Sequence, residues 1–181
     1  MSGVICAIST PPGMGAIAII RLSGEGSISL ADRVFTSPSG KKLTEAAAYK
    51  AHFGQIVAGD ELLDEVLVTV FRAPHSFTGE ESVEISCHGS VYIQQRIMEL
   101  LLGEGARMAQ PGEFTRRAFR SGKFDLSQAE AVADLIASSS RTSHRVAMNQ
   151  MRGGFARKLS LLRDKLLQFV SLIELELDFS E

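Results

Sequence analysis

The 181-residue chain has no tryptophan and only two cysteines. It also has no apolar run near the ~20 residues that a membrane-spanning helix needs; the longest are stretches such as Ala16 to Ile20. Met1 to Thr10 holds no basic residue, so no secretory n-region is present, and a soluble, cytoplasmic protein without a membrane partner is expected. Cys6 and Cys87 lie far apart in apolar, strand-like runs, with neither a CxxC motif nor Cys/His spacing for a metal. That excludes a disulfide framework and reads both thiols as reduced packing residues. A strong excess of one charge is missing as well. With 19 Lys+Arg against 21 Asp+Glu and 45% hydrophobic residues, the chain is neither a polycation nor a disordered tail.

The usual catalytic signatures are absent too. There is no GxxxxGK[ST] phosphate loop, and Gly13-Met14-Gly15 lacks the third glycine of a dinucleotide fingerprint and joins two predicted strands. HExxH, GxSxG and EF-hand patterns do not occur. Nucleophile, metal and nucleotide chemistry therefore have no support, and neither a catalytic residue nor a metal site is expected.

What is present changes period along the chain. Alternation and β-propensity predict strands near Val4 to Ser9, Ala16 to Leu22, Ala51 to Val57, Leu63 to Phe71 and Glu81 to Cys87. Val66, Val68 and Val70 alternate with Leu67, Thr69 and Phe71, which predicts a central strand apolar on both faces. A short helix is expected around Ile28 to Phe35, a surface loop over Ser37 to Glu45, and an amphipathic helix through Ile93, Ile97, Leu100 and Leu101. Everything after Pro111-Gly112 reads as helical. Ser127 and Glu130 fit a capping box, after which Ala131, Leu135 and Ile136 are expected to face a core. Leu159, Leu162, Leu166, Phe169, Ile173 and Leu177 form a long helical stripe. The whole reads as α+β, a strand-rich first part followed by a helical unit. The stripe needs partners, so the chain reads either as a fragment or as a domain whose last helix packs on another protomer, with a surface helix as the plain alternative.

Four groups of residues are candidates for chemistry. Glu84 lies on the polar face of its strand with Ser82, Ser86 and His88. It is either an ordinary exposed carboxylate or, if that face is covered, a double acceptor suited to a paired N–H edge such as that of a pterin. Arg21 ends the otherwise apolar face of Ile17 and Ile19 and needs a carboxylate or phosphate partner unless it snorkels to solvent. Lys123 sits in a glycine turn, either solvated or facing a ligand carboxylate. Arg116, Arg117 and Arg120, with Arg107, form a candidate anion-binding edge, or simply a solvated helix face. Further along, residues 141 to 165 carry seven basic groups against Asp164 alone. Without interleaved aromatics, electrostatic contact with phosphates is the most these support. His88, beside Gly89, is within sequence reach of the Glu84 face.

The motifs in order are Ala7-Ile-Ser-Thr-Pro-Pro-Gly-Met-Gly-Ala-Ile-Ala-Ile-Ile-Arg-Leu-Ser-Gly24, Ser76-Phe-Thr-Gly-Glu80, Glu84 through Cys87-His88-Gly89, Pro111-Gly-Glu-Phe-Thr-Arg-Arg-Ala-Phe119 and Asp125-Leu-Ser-Gln-Ala-Glu-Ala131. In this order and spacing they resemble the N-terminal region of the tRNA uridine-modifying GTPase family known as MnmE or TrmE, across essentially the whole chain. The resemblance implies a tetrahydrofolate-binding domain of the aminomethyltransferase type over residues 1–118, and the first part of a helical domain over 119–181. It implies homodimerisation through the N-terminal domain, binding of 5-formyl-tetrahydrofolate or another tetrahydrofolate, a flavin-dependent partner called MnmG, and tRNA modified at C5 of a wobble uridine. By motif position the folate-binding residues are Arg21, Glu84 and Lys123.

The family's GTPase motifs and C-terminal cysteine motif do not occur in this chain, so GTP, potassium and magnesium belong to a domain outside it and binding without turnover is expected here. Ser90 stands where the family usually has a second glycine after His88-Gly89. Two other readings remain: a dimerisation and tRNA-docking module in which folate is dispensable, and a stand-alone aminomethyltransferase-like folate enzyme.

Overall fold

The computed structural model describes residues 3–178. The chain divides into two compact units, residues 1–123 and 124–181. The first is an α+β unit built on β1 (Ile5–Ile8), β2 (Ile17–Ser23), α1 (Ser27–Val34), β3 (Phe35–Thr36), β4 (Ala51–Ala58), β5 (Glu61–Phe71), β6 (Ser82–His88), α2 (Val91–Gly103), β7 (Arg107–Met108) and α3 (Glu113–Arg120). The strands make one seven-stranded sheet in the order β3-β4-β5-β6-β2-β1-β7, antiparallel except where β7 runs parallel to β1.

One face of this sheet is the core. Ile20 and Leu22 of β2, Val66, Val68 and Val70 of β5, and Val83 and Ile85 of β6 are all buried and pack with Ile28, Ala31 and Val34 of α1 and Ile97, Met98 and Leu101 of α2. The period-2 pattern of the strands meets the 3.6-residue pattern of two amphipathic helices, so each element buries one side against the other. Cys6 and Cys87 are free and buried, and burial pushes both thiols up to about 11. That agrees with their reading as inert packing residues.

Three local expectations change. β5 is central, but only its valine face is buried; Leu67 is 48% exposed, because α1 and α2 cover the sheet on one side only. The expected loop over residues 37–45 ends in a single 3-10 turn, Leu43–Glu45, which buries Leu43. Ser90, at the departure from the family pattern, is the N-cap of α2 and its carbonyl accepts from the Gln94 N–H.

The second unit contains α4 (Leu126–Ala137), α5 (Arg141–Met151) and α6 (Gly154–Asp178). The capping box at α4 is not Ser127–Glu130. Asp125 is the N-cap, its side chain accepting from the Gln128 N–H at 2.8 Å while the Gln128 side chain accepts from the Asp125 N–H at 3.0 Å. Two frames overlap in Asp125-Leu-Ser-Gln-Ala-Glu130, and the one with the carboxylate at the helix start prevails; helix-end N–H groups favour an anion. Ala131 is fully buried, Leu135 partly so, and Ile136 is 82% exposed, contrary to expectation. Along α6, Leu159, Leu162, Leu166, Phe169 and Ile173 are exposed in this chain. The side chain of Leu177, the last member of the stripe, lies outside the described residues.

Candidate ligand-binding site

The sheet face opposite the core carries the site. Pairing of β2 with β6 sets Arg21 directly across from Glu84, Ile19 across from Ser86 and Ile17 across from His88. On the other side of β6, Thr69 and Leu67 of β5 lie across from Glu84 and Ser86. An antiparallel register places such partners ~5 Å apart on one face.

Arg21 Nε and Nη2 donate to the same carboxylate oxygen, Glu84 Oε1, at 2.9 and 2.7 Å. Both side chains are about one-quarter exposed. Two rings flank the guanidinium: Phe77, from the loop before β6, with its centroid 5.3 Å from Arg21 Cζ, and Phe114 of α3 at 5.7 Å. Guanidinium faces stack on aromatic rings, so the rings hold Arg21 in place while its edge engages Glu84. Glu84 Oε2 accepts no bond from any described residue. The result is a half-buried, charge-balanced centre with one carboxylate oxygen left for a donor pair on a ligand.

The flanking loops are fixed by a polar network. The Ser121 hydroxyl, just after α3, donates to the Thr78 carbonyl at 2.6 Å, and Ser23 Oγ lies 2.7 Å from Thr78 Oγ1. Gly79 has a φ of +78°, and a Cβ there would lie 2.6 Å from Ser121 Oγ and 4.0 Å from Lys123 Cβ. Only glycine fits this approach, which binds the Phe77 loop to the turn bearing Lys123. Lys123 is exposed, and its N–H closes the turn on the Ala118 carbonyl at 2.9 Å.

The α3 helix is anchored by buried charge. Glu113, 1% exposed, accepts from Arg107 Nη1 at 3.0 Å, the Gln110 N–H at 2.9 Å and Arg117 Nη2 at 3.4 Å. The Arg107 guanidinium foremost, with the Gln110 N–H and Arg117, holds this carboxyl down to about 2. Sequence reasoning passed over Glu113, though a lone acid among five basic groups from 107 to 123 marks it.

Comparison with known sequences matches residues 4–123 to the family described as "GTP-binding protein TrmE N-terminus" and residues 126–181 to the "MnmE helical domain". The chain belongs to the MnmE/TrmE family. It is 62% identical over 178 residues to a tRNA modification GTPase MnmE of Bacteroides fragilis, covering 98% of this chain and 38% of that protein. Similar relatives of the same name occur in Parabacteroides distasonis, at 60% identity over 98% of this chain and 39% of the relative, and in Flavobacterium psychrophilum, at 56% over 98% and 38%. The chain thus spans well under half the length of these curated relatives.

Among the residues that the family resemblance marks, Arg21 and Glu84 meet, and Lys123 stands on the turn tied to the Phe77 loop; among the described residues no hydrogen bond or ion pair joins it to either. The arginines of α3 take different positions. Arg117 is buried, with Nη1 on Glu80 Oε2 at 3.0 Å and Nη2 on the Gly3 carbonyl at 3.0 Å. Arg116 and Arg120 are exposed, and Arg116 Nη2 donates weakly to Gln110 Oε1 at 3.4 Å. Arg107 is half-exposed and paired with Glu113.

His88 does not turn to Glu84. Its Nδ1 bonds to Asp64 Oδ1 at 2.6 Å, and its backbone N–H to Asp64 Oδ2 at 2.8 Å. Asp64 is almost fully buried, and nothing in the spacing of residues 64 and 88 announces the pair. Among the described residues no group of three or more His, Cys, Asp or Glu side chains is arranged to hold a metal, and no helix is long and apolar enough to cross a membrane.

Proposed function

We propose that this chain is the folate-binding and dimer-forming part of a cytoplasmic GTPase that modifies tRNA at C5 of a wobble uridine, acting with a flavin-dependent partner, MnmG. Folate binding rests on the Arg21–Glu84 centre. A carboxylate fixed by an arginine through one oxygen, with its second oxygen open and two phenyl rings beside it, suits the amino-pyrimidinone edge of a pterin, whose adjacent N–H groups form a donor pair. The flat apolar faces of such a ring match Phe77 and Phe114. Lys123, on the exposed turn, supplies a cation for the carboxylates of a folate tail. A bound tetrahydrofolate supplies a one-carbon unit; the residues of this chain bind and orient it. GTP hydrolysis, with its potassium and magnesium, falls to the rest of the protein.

The α3 edge supports tRNA contact through exposed Arg116 and Arg120, whereas Arg117 is committed to the fold. Homodimerisation draws support from the apolar side chains that the first unit exposes, Met14, Tyr49 and Leu62 among them.

Calorimetric titration with 5-formyl-tetrahydrofolate, with oligomeric state measured on the same samples, tests the reading. Micromolar binding by a dimer is expected, weakened roughly tenfold or more in Glu84→Ala because a hydrogen bond to a charged group is lost. Equal affinity in Glu84→Ala overturns the assigned site.

A further inference from the structure

At the β3–β4 edge of the sheet lies a concave site of about 220 Å³ that the folate reading does not use. Its walls include Ser37, Ser39, Lys41, Lys42, His52 and Phe53, and no acidic side chain lines it. Lys41 and Lys42 are exposed, and neither has an ion-pair partner among the described residues. The Ser37 and Ser39 hydroxyls are hydrogen-bonded to each other at 2.9 Å, so the pair keeps one hydroxyl proton to donate elsewhere. His52 Nε2 is anchored on the Ala47 carbonyl at 3.0 Å, so the ring is held rather than free. Phe53 is half-exposed at the rim.

Among the described residues the neighbouring acids form no ion pair with these lysines. Asp32 Oδ1 accepts the Leu43 N–H at 2.7 Å, and Glu45 is outside the lining. Two of the six lysines in the chain, Lys41 and Lys42, line this one site, although the chain as a whole carries a formal charge of −2. A concentration of unpaired cations in a protein of negative net charge is a local field, not a general solubility surface.

We propose that this pocket is a docking point for the RNA backbone, with Lys41 and Lys42 each neutralising a phosphate, one hydroxyl of the Ser37–Ser39 pair donating to a phosphate oxygen and Phe53 stacking on an adjacent unpaired base. The chemistry is that of single-stranded nucleic acid sites, where a basic concavity tracks the backbone and an exposed ring takes a base face. The inference rests on the tRNA-modification reading of the chain and adds a contact surface distinct from the arginines of α3.

The test measures tRNA binding by the 181-residue chain between 50 and 300 mM salt, beside a K41Q/K42Q double variant, Phe53→Leu and Arg120→Gln; the substituted side chains are all exposed, so the variants are expected to fold. Loss of two phosphate contacts should lower the slope of log affinity against log salt by about 1.4 to 1.8 and weaken binding roughly tenfold near 0.1 M salt. Phe53→Leu should weaken binding roughly fivefold or more while leaving the slope unchanged. Titration of the double variant with 5-formyl-tetrahydrofolate separates the two readings. Unchanged tRNA affinity and slope in a double variant that still binds folate overturns the RNA site and leaves the folate site standing. Inorganic pyrophosphate that binds the wild-type chain and not the double variant, without displacing tRNA, assigns the pocket to a small phosphate and also overturns the proposal.

Discussion

Glu113→Ala removes the carboxylate that holds α3 and, with it, the Phe114 ring beside Arg21. The loss can be worked from its contacts. The Gln110 N–H donates to this buried charge at 2.9 Å, and a charged hydrogen bond in such a place contributes about 1.5 to 3 kcal/mol. Arg107 is half-exposed, so its pairing is screened by solvent and adds little. Arg117 keeps Glu80 and the Gly3 carbonyl and is not orphaned by the change. The expected destabilisation is therefore about 1.5 to 3 kcal/mol. The chain has no tryptophan, and both of its tyrosines, Tyr49 and Tyr92, lie in the first unit, so tyrosine fluorescence in urea reports this unit alone. With an unchanged denaturant slope the midpoint should fall by roughly 1 to 2 M. Glu113→Gln should lose less, because the amide oxygen still accepts from Gln110. A fall below about 0.5 kcal/mol in Glu113→Ala would refute the anchoring role.

Protonation makes the same change without mutation. The Glu113 carboxyl is held at about 2, below its ordinary 4.5, so its stabilisation is complete above about 4.5 and is lost as the pH falls from there toward 2. The gap in urea midpoint between wild type and Glu113→Gln should accordingly narrow across that window and stay constant between pH 6 and 8. Gly89→Ala should destabilise the first unit by about 2 kcal/mol or more in thermal unfolding, since its Cβ would lie 2.3 Å from the Gly15 carbonyl oxygen, where backbone meets backbone. Asp125→Ala should lower α4 stability by about 1 kcal/mol, read as faster amide exchange in its first turn, because the N-cap acceptor for Gln128 is removed.

Much of the architecture was legible because strand alternation and helix periodicity are local. Val83, Ile85 and Cys87 share the buried face that alternation assigned them, and the helix through Ile97 and Leu101 buries both residues. The site was legible only in halves. The parity of β2 put Arg21 on the face of Ile17 and Ile19, and the parity of β6 put Glu84 with the polar residues, but their meeting depends on a pairing between strands 63 residues apart. His88 finds Asp64 across a separation of 24 residues for the same reason. The second face of β5 misled because an apolar pattern shows what a strand can bury, not which side the helices cover. Arg117 and Arg120 look alike in sequence, and only the fold shows that one faces Glu80 and Glu113 while the other faces solvent.

The most direct test of the central claim is a crystal structure of this chain with 5-formyl-tetrahydrofolate. The account predicts the amino-pyrimidinone edge of the pterin within hydrogen-bond distance of Glu84 Oε2, with the Arg21 pair intact and Phe77 or Phe114 against the ring. A folate bound elsewhere on the chain, or one that leaves Glu84 without a ligand contact, would contradict it.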